Sequence, residues 1–195
     1  LRWYNVFKTI VNAFKIPDLR RKMLFVLMII LLYRLGAVMP VPFVDANVLA
    51  ENFSASNGSF FQYLNIMSGE AFSRATLFAL SIQPYITAQI VMQLLTIAIP
   101  ALERMQKDGE DGRKKIVAST RYVTVGLALI ESAAMAFAFW NGGMLDSQNA
   151  LNVITIIATL TAGSAFLMWV GEQITEHGIG NGISIVLVIN IISRI

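Results

Sequence analysis

The 195-residue chain contains no cysteine, which excludes a disulfide framework, a thiolate nucleophile and a thiolate metal site, and leaves the redox compartment open. It has a single histidine, His177. With Glu176 beside it in a glycine-rich stretch, His177 is read as a loop residue rather than a metal or acid–base centre, because adjacent residues on a loop seldom converge without further ligands. No G-x-S-x-G, H-E-x-x-H or dinucleotide fingerprint occurs, and no pair of intramembrane acids suggests a protease, so catalysis has no candidate constellation. GEDGRKK, from Gly109 to Lys115, lacks phosphate-loop spacing and reads as a solvated turn available to a cytosolic partner. Charge is also scarce, at 14% of residues against 56% hydrophobic. That balance is far from soluble globular composition and indicates a membrane protein. The net charge of +3 is small and its basic residues flank apolar runs, so membrane orientation explains them better than nucleic-acid binding.

The apolar runs give an all-α reading with spans at about 23–41, 71–99, 122–140, 152–170 and 183–195. Residues 1–22 carry six Lys and Arg against Asp18 and form a cytoplasmic amino-terminal segment. Met23–Val41 has no cleavage pattern after it and is read as a retained helix, with Arg34 in its outer half placed either to snorkel to the interface or, the favoured reading, to pair inside the bundle. An outer loop from Asp45 to Ser59 holds no Lys or Arg, and its two sequons, at Asn52 and Asn57, matter only in a eukaryotic lumen. Pro100 to Arg121 is the strongly charged cytoplasmic loop. The third span has Glu131 near its centre, expected to pair structurally, and the fourth carries Thr161-Ala-Gly-Ser-Ala165 for close helix approach. A loop from Gly171 to Gly182 follows. The last run is about 13 residues, or roughly 20 Å, short of a full crossing, so the chain is expected to be the amino-terminal part of a longer protein.

Residues 59 to 97 are the most informative. Phe60 to Met67 spans only about 12 Å as a helix against roughly 30 Å of hydrocarbon, so it is expected to be re-entrant, with Phe60, Phe61, Leu64 and Met67 at helical spacing. Ser68-Gly69 ends it. From about Ala71 to Ile99 one long helix is expected, bent at Pro84 where a backbone hydrogen bond is missing. On one face Ile82 and Ile86 lie a turn apart, and the stripe continues through Gln89 to Gln93. Amides at membrane depth suit a cavity or a protein neighbour rather than lipid, and a pore wall and an ordinary kinked, packed helix both fit.

The residues Ala79-Leu80-Ser81-Ile82-Gln83-Pro84-Tyr85-Ile86-Thr87-Ala88, followed by Met92-Gln93-Leu94-Leu95, resemble the second helix of the SecY family. Tyr33-Arg34-Leu35-Gly36 with Pro40-Val41-Pro42, Gly112-Arg113-Lys114-Lys115, and Leu167 through Glu176 to Gly178-Ile179-Gly180-Asn181-Gly182-Ile183-Ser184 resemble it in the same order. The resemblance implies the first five-helix half of a ten-helix, inverted-repeat channel for unfolded polypeptides, with a short re-entrant plug helix at about 60–70. It implies a pore ring at Ile82, Ile86 and Leu187. It implies a plug of Phe60, Phe61, Leu64, Asn65, Met67, Ser68 and Gly69, and a lateral gate including Leu80, Pro84, Thr87, Ile90 and Met92. Phe78, Tyr85 and Ile90 are expected to look mostly away from the pore axis. Gln83 and Glu70 depart from the family pattern.

The implied setting is the bacterial inner membrane with a cytoplasmic amino terminus. The implied partners are SecE, SecG, the SecA motor, the ribosome (ribosomal RNA being the one nucleic acid in question), a translocating polypeptide with its signal sequence, and lipid. No cofactor, metal or enzymatic activity is implied. The alternative, half of a secondary transporter for a small solute, wants convergent polar groups at the helix break, where this chain has Ile82 and Ile86.

Overall fold

A computed structural model describes residues 16–45, 48, 73–145 and 149–192. The plug residues Phe60 to Gly69 and most of the outer loop lie outside the described residues.

Among the described residues six helices follow in order: α1 (Pro17–Val38), α2 (Gln83–Ala98), α3 (Pro100–Lys107), α4 (Glu110–Asn141), α5 (Ala150–His177) and α6 (Gly182–Ile192). Pro17, Pro84 and Pro100 each sit in the first turn of a helix. There the missing N–H would be unsatisfied in any case, and the fixed φ is already helical. This corrects the reading of 71–99 as one long helix kinked at Pro84. Pro84 starts α2, and residues 73 to 82 run as consecutive turns with left-handed φ at Ala75 (46°) and Ser81 (55°). The turn segment is tied to the chain after α1. Val41 N–H donates to Ala75 O at 2.8 Å and Leu77 N–H to Met39 O at 2.9 Å, around an isolated bridge between Pro40 and Thr76.

Two further stretches expected as loops are helical. The charged run after Pro100 is α3, bent 101° from α2, a single turn at Gly109 (φ 79°), and then the start of α4. Gly171 to His177 continues α5, leaving only Gly178 to Asn181 as a connection. At 32 and 28 residues, α4 and α5 reach about 48 and 42 Å, so both extend past a hydrocarbon layer of roughly 30 Å. Polar residues beyond the apolar stretch can stay helical because their side chains reach water while the backbone bonds are kept. The Asn181 side-chain carbonyl accepts from Ile183 N–H at 3.0 Å and caps the start of α6.

α4 and α5 pack along each other, α2 lies on α4, and α1 and α6 lie on α5. Two apolar clusters hold the bundle. One joins Ile29 and Tyr33 of α1, Phe78, Ile82 and Tyr85, Leu167, Met168, Val170 and Ile174 of α5, and Val186 of α6. The other joins Val41, Ala75, Ala79 and Leu80 to Ala136 and Phe139 of α4 and Val153, Ile156 and Leu160 of α5. The turn segment 73 to 82 feeds both. It reaches α5 closely because Gly163 has no side chain: a Cβ there would collide with the Leu77 carbonyl oxygen. Gly182 does the same for α6, its Cβ position falling on the Gly171 carbonyl.

Candidate functional site: an apolar cluster beside an open helix face

Ile82 is the last residue before α2 and is fully buried, at 0% exposure. Ile86, one turn along, and Leu187 of α6 pack against the same cluster and are half-buried. The three residues expected to form a ring, 105 positions apart at the extremes, are thus gathered around one apolar locus. Phe78 and Tyr85, expected to point elsewhere, belong to that cluster too. Phe78 stacks on Tyr33 of α1 at 5.2 Å between ring centroids and parallels Phe166 of α5 at 6.0 Å, which fixes the turn segment from both sides.

α2 has two faces. Pro84, Tyr85, Ala88, Met92 and Thr96 are buried, on the helix that lies against α4. Thr87 is half-buried and Ile90, Leu94 and Ile97 are exposed, Ile97 at 80%. Their spacing of three, four and three residues puts Thr87, Ile90, Leu94 and Ile97 on one side of the helix. Of the residues expected at a lateral gate, Thr87 and Ile90 therefore lie on the open side, while Leu80, Pro84 and Met92 are packed inside. The amide stripe is half-wet: Gln89 donates to the Tyr85 hydroxyl at 3.1 Å, and Gln93 is exposed.

A polar feature that the sequence did not announce lies beside Ile82. Asn190 Nδ2 of α6 donates to Ser81 Oγ at 2.9 Å, and Ser164 Oγ of α5 donates to the Ser81 carbonyl at 3.3 Å. All three residues are buried. Asn190 is conspicuous as an amide inside an apolar run, but its partner is 109 residues away and no local pattern points to it.

Where the apolar helices end, Arg121 of α4 pairs with Glu172 of α5, Nη2 to Oε2 at 2.9 Å. In the charged segment, hydrogen bonding from Lys107 and its charge hold the Glu103 carboxyl below its ordinary range. Glu131, expected to pair, is half-buried and has no hydrogen bond or ion pair with any of the described residues. His177 ends α5 with its ring 5.9 Å from that of Phe25 of α1, a packing contact. Among the described residues no cluster of three or more His, Asp or Glu side chains is set to hold a metal.

Among the described residues two helices are long and apolar enough to cross a bilayer, and the bent pair α2–α3 makes a third candidate. A bundle of apolar helices, entered through an irregular, mostly buried segment, defines a polytopic membrane protein among the described residues. The family model described as SecY matches residues 76–195. Protein translocase subunit SecY of Bacillus subtilis is 43% identical over 194 residues, covering 97% of this chain and 44% of that protein. The Escherichia coli K12 protein of the same name is 42% identical over 180 residues, covering 90% and 41%. A solved structure of Sec61 in the canine ribosome–channel complex from the endoplasmic reticulum superposes with a TM-score of 0.61 at 20% identity, over 93% of this chain and 40% of that one. The chain belongs to the SecY family and is a membrane protein with the fold of that channel. It spans less than half the length of the relatives just named.

Proposed function

We propose that this chain supplies the first half of the central pore subunit of a Sec translocon, which passes unfolded polypeptides across a membrane and releases apolar segments sideways into it. The carrying observation is the convergence of Ile82, Ile86 and Leu187 on one apolar cluster next to the open α2 face. An apolar constriction between wet vestibules excludes ions by dewetting yet yields to a passing chain, and that task requires no catalytic group. The Thr87–Ile97 side of α2 is then the wall of the lateral gate, facing helices of the second half, and Phe60 to Gly69 is the plug. Family membership does not favour the alternative of a small-solute transporter half.

The proposed setting is the bacterial inner membrane, with the basic segment before α1 and the α3–α4 junction in the cytoplasm. Proposed partners are SecE, SecG, the SecA motor and the ribosome, the solved ribosome–channel complex supporting the last. The test is a photocrosslinking amino acid placed at Ile86, Leu187 or Ile90 in the complete channel, with a precursor arrested during transport. Crosslinks to the precursor are expected at all three and not at Phe137, which is exposed on α4. The reverse pattern would exclude the pore reading.

A further inference from the structure

The turn that delivers Ile82 is held by an unusual set of contacts. Ser81 has φ 55°, a left-handed conformation that serine adopts only when its surroundings hold it there. Both of its oxygens are engaged: Oγ accepts from Asn190 Nδ2 at 2.9 Å, and the carbonyl accepts from Ser164 Oγ at 3.3 Å. Ser81, Ser164 and Asn190 are buried, Asn190 completely. In apolar surroundings neither amide nor hydroxyl can turn to water, so separating them leaves buried polar groups unpaired. The placement gives this bond its meaning. Ser81 immediately precedes Ile82, and Asn190 lies one helical turn after Leu187 on α6. One hydrogen bond thus connects the two backbone elements that carry the proposed ring side chains. Ser164 fixes the same turn to α5, where Gly163 already lets the Leu77 carbonyl approach.

We propose that the Ser81–Asn190 pair, anchored by Ser164, consists of positioning residues that set the register of Ile82 against Leu187 and keep the constriction narrow at rest. This rests on the pore reading of Ile82, Ile86 and Leu187. A purely structural tie would change how much protein survives in the membrane. A positioning tie changes the resting seal at constant abundance.

The test uses the complete channel in planar bilayers, with membrane abundance measured in parallel. Ser81→Gly removes the hydroxyl while relieving the left-handed backbone, so it separates the two roles: resting conductance is expected to rise several-fold with abundance unchanged. Asn190→Leu should raise it as well, and the Ser81→Gly/Asn190→Leu pair should leak no more than the stronger single variant, since both remove one interaction. Ser132→Ala, which deletes an interhelical hydroxyl contact to Thr161 at 2.9 Å away from the ring, should leave conductance at the wild-type level. Wild-type conductance in both Ser81→Gly and Asn190→Leu, with a leak in the Ile82→Asn/Ile86→Asn variant, would overturn the positioning role and leave the ring intact. Absence of a leak in all of these variants would overturn the ring reading itself.

Discussion

Arg121 of α4 and Glu172 of α5 meet side on, with Nε donating to Oε1 at 3.0 Å while Nη2 lies 2.9 Å from Oε2. Two parallel contacts fix the helices in register as well as in distance. The Glu172 side chain is only 10% exposed and Arg121 is 48% exposed. Removing the arginine therefore strands a mostly buried carboxylate.

Arg121→Ala is expected to lower the stability of the detergent-solubilised channel by about 1 to 3 kcal/mol, between the values for exposed and buried pairs. Lys107→Ala, which breaks a solvated i,i+4 contact to Glu103, should have a much smaller effect. Thermal aggregation in detergent compares the two. Equal losses would mean that burial of Glu172 is unimportant.

Gly163→Ala places a methyl group against the Leu77 carbonyl, a backbone atom that cannot swing aside. Overpacking of this kind costs about 1 to 3 kcal/mol, and the turn segment 73 to 82 should be displaced with it. Limited proteolysis near Leu77 and thermal stability are the readouts. Gly126→Ala is the control, since a Cβ there meets nothing within 4 Å.

Glu131 has no polar partner among the described residues. Glu131→Gln should leave abundance and stability within about 0.5 kcal/mol of wild type. A larger loss, measured in the complete channel, would indicate that the carboxylate is paired by the second half or by another subunit.

Deleting Phe60 to Met67 from the complete channel should raise resting ion leakage while membrane abundance stays normal. Eight residues contribute little to a bundle of full spans. Disappearance of the protein from membranes would make that segment structural instead.

The sequence made the apolar helices visible because burial in lipid demands long runs with little charge; Met23–Val41, Tyr122–Trp140 and Asn152–Val170 each overlap one helix, and the latter two fall in helices long and apolar enough to cross a bilayer. The Thr161–Ala165 run suggested close approach of another helix; what Gly163 admits is instead the Leu77 carbonyl of the turn segment. The turns from 73 to 82 are not legible in the sequence, because Pro84 inside an apolar run looks alike whether it bends a helix or begins one. What decides is tertiary: the Phe78 stack, the Met39–Val41 pairing and the left-handed backbone at Ser81. Helix ends were underestimated at Glu110 and His177, because charge marks the edge of the lipid and not the edge of the helix. The Ser81–Asn190 bond was beyond local pattern altogether.

Ile82 and Ile86 are proposed to seal the pore by offering water no hydrogen bond. Single-channel recording of the complete channel carrying Ile82→Asn and Ile86→Asn tests it most directly, with membrane abundance measured alongside. Wetting the constriction should raise resting conductance in a normally inserted protein. Unchanged conductance at normal abundance, or loss of the protein in place of a leak, would make the buried Ile82 and the half-buried Ile86 packing residues and no more.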